Sequence, residues 1–285
     1  VSKQKCVGYV LMILGLGLPL CFVTLMFLNQ CQEKFAYQNF RLESKPWVQS
    51  QKEWVNRYNQ EQTLADKATT DPFVDAKSQL QQSPFDDNII GYLNIPKLHM
   101  IQPIRLGASE RNLEKGVAQV TGTNLPIGGL GTRSVIAGHR SWYDNERFFR
   151  IAELSPNDQI VIDLGTHQLE YRVKNIEIID AKDWRQLMAK KNQDLLTLLT
   201  CNPLYPPFNE RLLVNAERIS AGSSGLSTKR QNSVNQSQLA SPLTAYKTSL
   251  ANLLLASPFG IWCCLGWLLE SYLIYRLFRQ CNSKK

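Results

Sequence analysis

A thiol, an imidazole and a guanidinium supply a nucleophile, a proton carrier and a fixed cation, and this chain places one of each at the edge of a strand-like run. Leu195 to Thr200 is apolar and suited to a strand and delivers Cys201 at its end. Asn202-Pro203 stops the run just beyond, where a loop leaves the sulfur reachable. Ser134 to Ala137 leads in the same way into Gly138-His139-Arg140. Arg211 opens Leu212-Leu213-Val214 ten residues after Cys201, and a group whose protonation does not change near neutral pH can donate to an oxyanion. Singly, each has a plainer reading: an inert buried thiol, an ordinary hydrogen-bonded histidine, a surface arginine at a strand end. The chain has three histidines, and the other two are His99 within a strand pattern and His167 in a Gly-Thr-His turn. Arg218 is a rival to Arg211. No His-x-x-x-His, carboxylate pair, Cys-x-x-Cys or Gly-rich phosphate loop occurs, so neither a metal nor a cofactor is expected.

The elements that must position these groups are short and β-type. Gly91 to Leu98, Met100 to Leu106, Ser134 to Gly138, Gln159 to Leu164, Leu169 to Ile179, Leu195 to Cys201 and Arg211 to Ile219 are runs punctuated by Gly, Pro and Asn. Seven or eight short strands predict a β-barrel or sandwich, with Glu146 to Leu154 as a short surface helix. Ahead of them, Glu33 to about Thr70 is polar, with irregularly spaced Phe35, Phe40, Trp47, Trp54 and Tyr58, and reads as a helical stem interrupted near Pro46. After them, Ala221 to Ser249 is rich in Ser, Asn, Gln and Thr and reads as a tether.

The ends of the chain point to a bilayer. Val7 to Leu28 is a run of 22 residues without a charge. At about 1.5 Å per residue it spans the roughly 30 Å hydrocarbon layer. Phe27-Leu28-Asn29-Gln30 offers no cleavage site, which favours an uncleaved anchor over a signal peptide. Leu250 to Leu269, interrupted by Pro258 and ended by Glu270, predicts a second span, with an amphipathic surface helix as the alternative. Of the formal charge of +8, Lys3 and Lys5 at one end and Arg276, Arg279, Lys284 and Lys285 at the other leave only +2 between them, which argues against nucleic acid as a partner. Cations outside both spans predict cytoplasmic termini and an exported domain between them. Of seven cysteines, Cys6, Cys21 and Cys31 are in or beside the first span and Cys263, Cys264 and Cys281 in or beside the second, which leaves Cys201 alone in the exported domain, without an internal disulfide framework.

Thr197-Leu198-Leu199-Thr200-Cys201 matches the Thr-Leu-x-Thr-Cys signature of sortases, the cysteine transpeptidases of Gram-positive cell surfaces, with Thr200 as its supporting residue. Gly138-His139-Arg140 resembles their histidine motif and Arg211-Leu212-Leu213-Val214 their arginine strand, and the likeness covers roughly residues 85 to 220. The resemblance implies an eight-stranded barrel with His139, Cys201 and Arg211 as its catalytic residues. Asp71-Pro72-Phe73 resembles the lid motif of the pilus-assembling class C branch, whose members also tend to carry a second, C-terminal span. By that resemblance Asp71 pairs with the arginine and Phe73 covers the thiol. The chain departs from the family between Cys201 and Arg211, where Asn202-Pro203-Leu204-Tyr205-Pro206-Pro207-Phe208-Asn209-Glu210 is altered and one residue longer; this bears on the pocket beside Cys201.

The division expected is therefore a cytoplasmic tail and anchor over 1–28, a helical stem and lid over 29–84, a mainly β sortase-type barrel over 85–220, a tether over 221–249, and a second transmembrane helix with a basic tail over 250–285. The resemblance implies an enzyme of the cell membrane, its barrel on the extracellular face. It would cleave Leu-Pro-x-Thr-Gly-like sorting signals through a thioester and pass the acyl group to a lysine of the next pilin subunit. A housekeeping-type sortase that attaches proteins to peptidoglycan is the alternative within the family; a non-enzymatic membrane-tethered scaffold is the alternative outside it. With ordinary pKa values near 8.5 and 6.5, thiolate and imidazolium coexist near pH 7 in only about one per cent of molecules, so the surroundings of the pair must govern activity.

Overall fold

The computed structural model describes residues 3–64, 71–73, 83–141, 147–219 and 258–282. Two compact units emerge, one of residues 1–32 with 226–285 and one of residues 33–225.

The larger unit is a closed barrel of eight strands: β1 (Ile89–Ile95), β2 (Met100–Leu106), β3 (Val117–Gln119), β4 (Thr132–Ala137), β5 (Gln159–Asp163), β6 (Gln168–Asp180), β7 (Asp194–Asn202) and β8 (Glu210–Arg218). They follow one another around the barrel as β1-β2-β3-β4-β7-β8-β6-β5. The β2/β3 and β4/β7 pairs are parallel and the rest antiparallel. Closure leaves no free edge to aggregate. β6 alternates exposed and buried residues from Gln168 to Val173, as a strand with one wet face should. β7 is buried from Asp194 to Thr200 because both of its faces are covered. Leu196 and Leu198 join the main core with Leu212, Val214 and Ala216 of β8. Leu199 and Leu213 belong to a second cluster with Ile179 and Leu187, against which Trp184 and Phe73 pack.

Seven of the strands coincide with the runs expected from sequence, and β3 has no counterpart among them. Three residues are too few to show a two-residue period. The first run also ends early: Pro96–Leu98 form a 3-10 turn, and His99 takes a left-handed φ of 52° beyond it, so that histidine lies in a turn rather than a strand. Of the helix expected over Glu146 to Leu154, Glu146 lies outside the described residues and only Ile151–Glu153 is helical, as a 3-10 turn.

Ahead of the barrel, α1 (Lys3–Glu43) and α2 (Gln49–Leu64) are separated by a short non-helical stretch holding Pro46. The irregular aromatics of this stem are what join it to the barrel. Tyr37 and Phe40 lie 5.2 and 4.9 Å from the Tyr92 ring, and Trp47 meets Phe85 edge-on at 5.3 Å. Asp163, whose side chain is 1% exposed, accepts from Tyr37 at 2.8 Å and from Arg41 at 2.6 Å. Burial by itself would raise that carboxyl, but its hydrogen bonds from Gln168, Arg41, Gly165 and Tyr37 hold it below the usual range. A short helix, α3 (Glu110–Leu113), precedes β3.

The smaller unit contributes the first part of α1 and a further helix, α4 (Pro258–Asn282). Among the described residues one helix is long and apolar enough to cross a membrane, over Val10–Glu43. α4 has 25 residues but carries Glu270, Arg276 and Arg279. The expected tether over 221–249 and the start of the expected second span lie outside the described residues.

Candidate active site

The antiparallel register of β7 and β8 sets Cys201 directly opposite Arg211. Alternation then repeats the facing along the same side of the sheet: Leu199 opposite Leu213, and Thr197 opposite Asn215. The altered segment between Cys201 and Arg211 forms the loop at the end of this hairpin, so it leaves the register untouched. Arg218 stands at the far end of β8, opposite Tyr171, about 23 Å away at a strand's rise. There it lies 3.9 Å from Asp194 and over the Tyr171 ring, so it is not beside the thiol.

His139 reaches the same end of the barrel from β4. Ala137 pairs with Leu199 in parallel, so two residues further on each strand stand His139 and Cys201. The Gly138 N–H donates to the Leu199 carbonyl at 3.1 Å, the Thr200 hydroxyl donates to the Gly138 carbonyl at 2.7 Å, and the Phe148 N–H donates to the His139 carbonyl at 3.1 Å. Gly138 is small of necessity, because a Cβ there would stand 2.8 Å from the Phe148 ring. Thr200 is fully buried, and its hydroxyl is used in holding the histidine strand. Thr200→Val should leave the Gly138 carbonyl buried without that donor and lower the unfolding free energy by about 1–3 kcal/mol. Urea denaturation reads the change, and an unmoved curve would remove this role. His99 and His167 are both exposed and lie in the turns between β1 and β2 and between β5 and β6.

Asp71 and Phe73 close over this end. Asp71 and Arg211 are 6% and 3% exposed, and the guanidinium donates to the carboxylate through Nη2 at 2.6 Å and Nε at 3.4 Å. Arg211 Nη1 is taken by the Phe208 and Glu210 carbonyls, both at 2.7 Å. The Phe73 N–H bonds back to Asp71 at 3.0 Å, so the segment is folded upon its own carboxylate. The Phe73 ring lies 5.8 Å from the His139 ring and 5.3 Å from the centre of the Arg211 guanidinium. An aromatic cover and a carboxylate thus occupy the surfaces of the imidazole and the guanidinium. The rest of the expected stem-and-lid connection, 65–70 and 74–82, lies outside the described residues.

The half-buried thiol feels all of this. Burial pushes Cys201 up; Arg211 pulls it down, Asp71 pushes it further up, and Arg140 pulls it down. The Asp71 carboxylate therefore acts against the thiolate directly and also ties up the cation that favours it. Among the described residues no group of three or more His, Cys, Asp or Glu is placed to hold a metal ion. One residue given no role by the sequence is Arg140, which donates to Asn202 Oδ1 at 2.7 Å and approaches the Cys201 carbonyl at 3.4 Å.

Residues 93–219 match the sortase domain family. Sortase D of Bacillus subtilis (strain 168) is 27% identical over 146 residues, 50% of this chain and 71% of that protein. Among solved structures, sortase C-3 of Streptococcus pneumoniae is 33% identical, with a TM-score of 0.57 over 68% of this chain and 91% of that one. Sortase C2 of pilus island 1 of Group B Streptococcus is 31% identical, with a TM-score of 0.54 over 60% of this chain and 96% of that one. With the barrel, the Cys201–Arg211 pairing and these likenesses in agreement, the chain belongs to the sortases, the family of cysteine transpeptidases, and resembles its class C pilus members.

Proposed function

We propose that this sortase is a pilin polymerase, anchored in the cell membrane with its barrel on the extracellular face and both termini in the cytoplasm. Cys201 attacks the carbonyl after the threonine of a Leu-Pro-x-Thr-Gly-like sorting signal. Arg211 donates to the oxyanion that forms, and His139 as imidazolium protonates the departing amine of the glycine. The C–N bond breaks and a thioester remains on Cys201. A lysine amine of the next pilin subunit then attacks the thioester, His139 takes its proton, and an isopeptide bond forms as the thiolate leaves.

The observation that carries this reading is the seat of Asp71 on Arg211. In the lidded arrangement the carboxylate holds the donors that the oxyanion requires, so a sorting signal must displace it, and peptide that does not do so is left uncut. The housekeeping alternative differs only in the acceptor, a peptidoglycan amine.

The test is expression of the full chain in a sortase-free Gram-positive host together with a pilin that carries a sorting signal and an acceptor lysine. Covalent ladders that resist boiling in detergent should form, and Cys201→Ala should abolish them. Monomeric pilin attached to wall fragments, with no ladder, would assign the housekeeping role. Ladders that persist in Cys201→Ala would remove the polymerase assignment altogether.

A further inference from the structure

Each of the three proposed catalytic residues has a chain neighbour that the reaction does not use, and these neighbours are bonded to one another. Arg140 follows His139, Asn202 follows Cys201, and Glu210 precedes Arg211. Arg140 Nη1 donates to Asn202 Oδ1 at 2.7 Å, and Asn202 Nδ2 donates to Glu210 Oε2 at 2.6 Å. Asn202 and Glu210 are also cross-strand partners, one step beyond the Cys201 and Arg211 pair. Because successive strand residues face opposite ways, this pair lies on the other side of the sheet from the thiol and its arginine.

We propose that Arg140, Asn202 and Glu210 form a positioning chain that sets where the imidazole, the thiol and the oxyanion donor stand relative to one another. A cation at one end and a carboxylate at the other dictate the orientation of the amide between them, its oxygen toward Arg140 and its nitrogen toward Glu210. Both bonds are charge-assisted and therefore stronger than neutral ones. Asn202 suits the middle position because its amide accepts on one atom and donates on another. The half-buried Arg140 is also drawn toward the thiol: its Nη1 approaches the Cys201 carbonyl at 3.4 Å, and its Nε is buried with no hydrogen-bond partner among the described residues. Its charge favours the thiolate, as noted above.

The proposal rests on the sortase reading of the site, and two readouts keep their failures apart. The first is kcat and KM for cleavage of a Leu-Pro-x-Thr-Gly peptide by the full chain in detergent micelles. The second is the pH profile of Cys201 alkylation by iodoacetamide in a Phe73→Ala background, which requires no substrate. Asn202→Ala should lower kcat by about tenfold to a hundredfold and leave KM within about twofold, as expected when reacting groups are misplaced while the binding surface stays intact. Arg140→Met should move the alkylation midpoint to higher pH, because a cation that favours the thiolate is gone; Arg140→Lys should hold the midpoint nearer its original value. Adding Glu210→Ala to Asn202→Ala should cost less than about twofold more, since the carboxylate then has no amide to orient. Unchanged kcat in Asn202→Ala, an unmoved midpoint in Arg140→Met, or losses that multiply in the double variant would overturn the chain. A parent enzyme that cleaves no sorting peptide would count against the sortase reaction, while the alkylation profiles would still decide the positioning role.

Discussion

Arg211→Lys should lower kcat for cleavage of a Leu-Pro-x-Thr-Gly peptide by about a hundredfold, the range found when one oxyanion donor is removed. The loss follows from geometry rather than from charge, which lysine keeps. Arg211 is aimed from behind by the Phe208 and Glu210 carbonyls, both 2.7 Å from Nη1, so that Nε and Nη2 face Asp71 across the site. In the proposed mechanism, displacement of Asp71 would leave those two donors oriented for an oxyanion. An ammonium has no planar fork, and a contact with either carbonyl would draw its single charge backwards. Arg218→Lys, at the other end of β8, should leave kcat unchanged. Full activity in Arg211→Lys together with loss in Arg218→Lys would mean that the wrong arginine has been assigned.

Asp71→Ala should raise the rate of Cys201 alkylation at pH 7 by about tenfold or more, since a buried charge-assisted hydrogen bond contributes on the order of 1.5–3 kcal/mol and each 1.4 kcal/mol is tenfold. Three causes act in one direction. The Asp71–Phe73 segment loses its anchor, Arg211 is released to favour the thiolate, and the carboxylate that pushes the thiol up is removed. The sign is fixed by those directions: the alkylation profile of Asp71→Ala should move to lower pH. Phe73→Ala tests the cover separately. It leaves the Asp71–Arg211 ion pair in place, so it should raise the rate at every pH with a smaller movement of the midpoint. Equal rates in the parent and both variants would show that the segment does not restrain the thiol, and identical midpoints in the parent and Asp71→Ala would show that its carboxylate does not act through charge.

Much of the barrel was legible in the sequence because its strands are local signals. Seven runs of apolar and β-branched residues, punctuated by Gly, Pro and Asn, coincide with seven of the eight strands. β3 escaped because three residues carry no period. The break in the stem at Pro46 was legible for the same reason, since proline acts on its own neighbours. The purpose of the stem's aromatics was not. Their spacing fits no helical stripe because they dock at separate points, Tyr37 and Phe40 on Tyr92 and Trp47 on Phe85.

The amino-acid sequence by itself determined which groups could react and in what surroundings they would arise: a lone thiol in the β-rich part, a histidine after one strand, an arginine opening another, and an Asp-Pro-Phe tripeptide ahead of the barrel. Tertiary structure decided which of these meet. The β7/β8 register chose Arg211 over Arg218, the parallel β4/β7 pairing directed His139 toward the thiol's end of the barrel, and folding brought Asp71 within 2.6 Å of a guanidinium 140 residues away in the chain. It also joined Arg140, Asn202 and Glu210, whose adjacency to the reacting residues is visible in one dimension but whose bonds are not. Strand propensity and turn chemistry act over a few residues and can be read along the chain. Register and the pairing of buried charges depend on segments far apart in sequence, and they exist only once the barrel has closed.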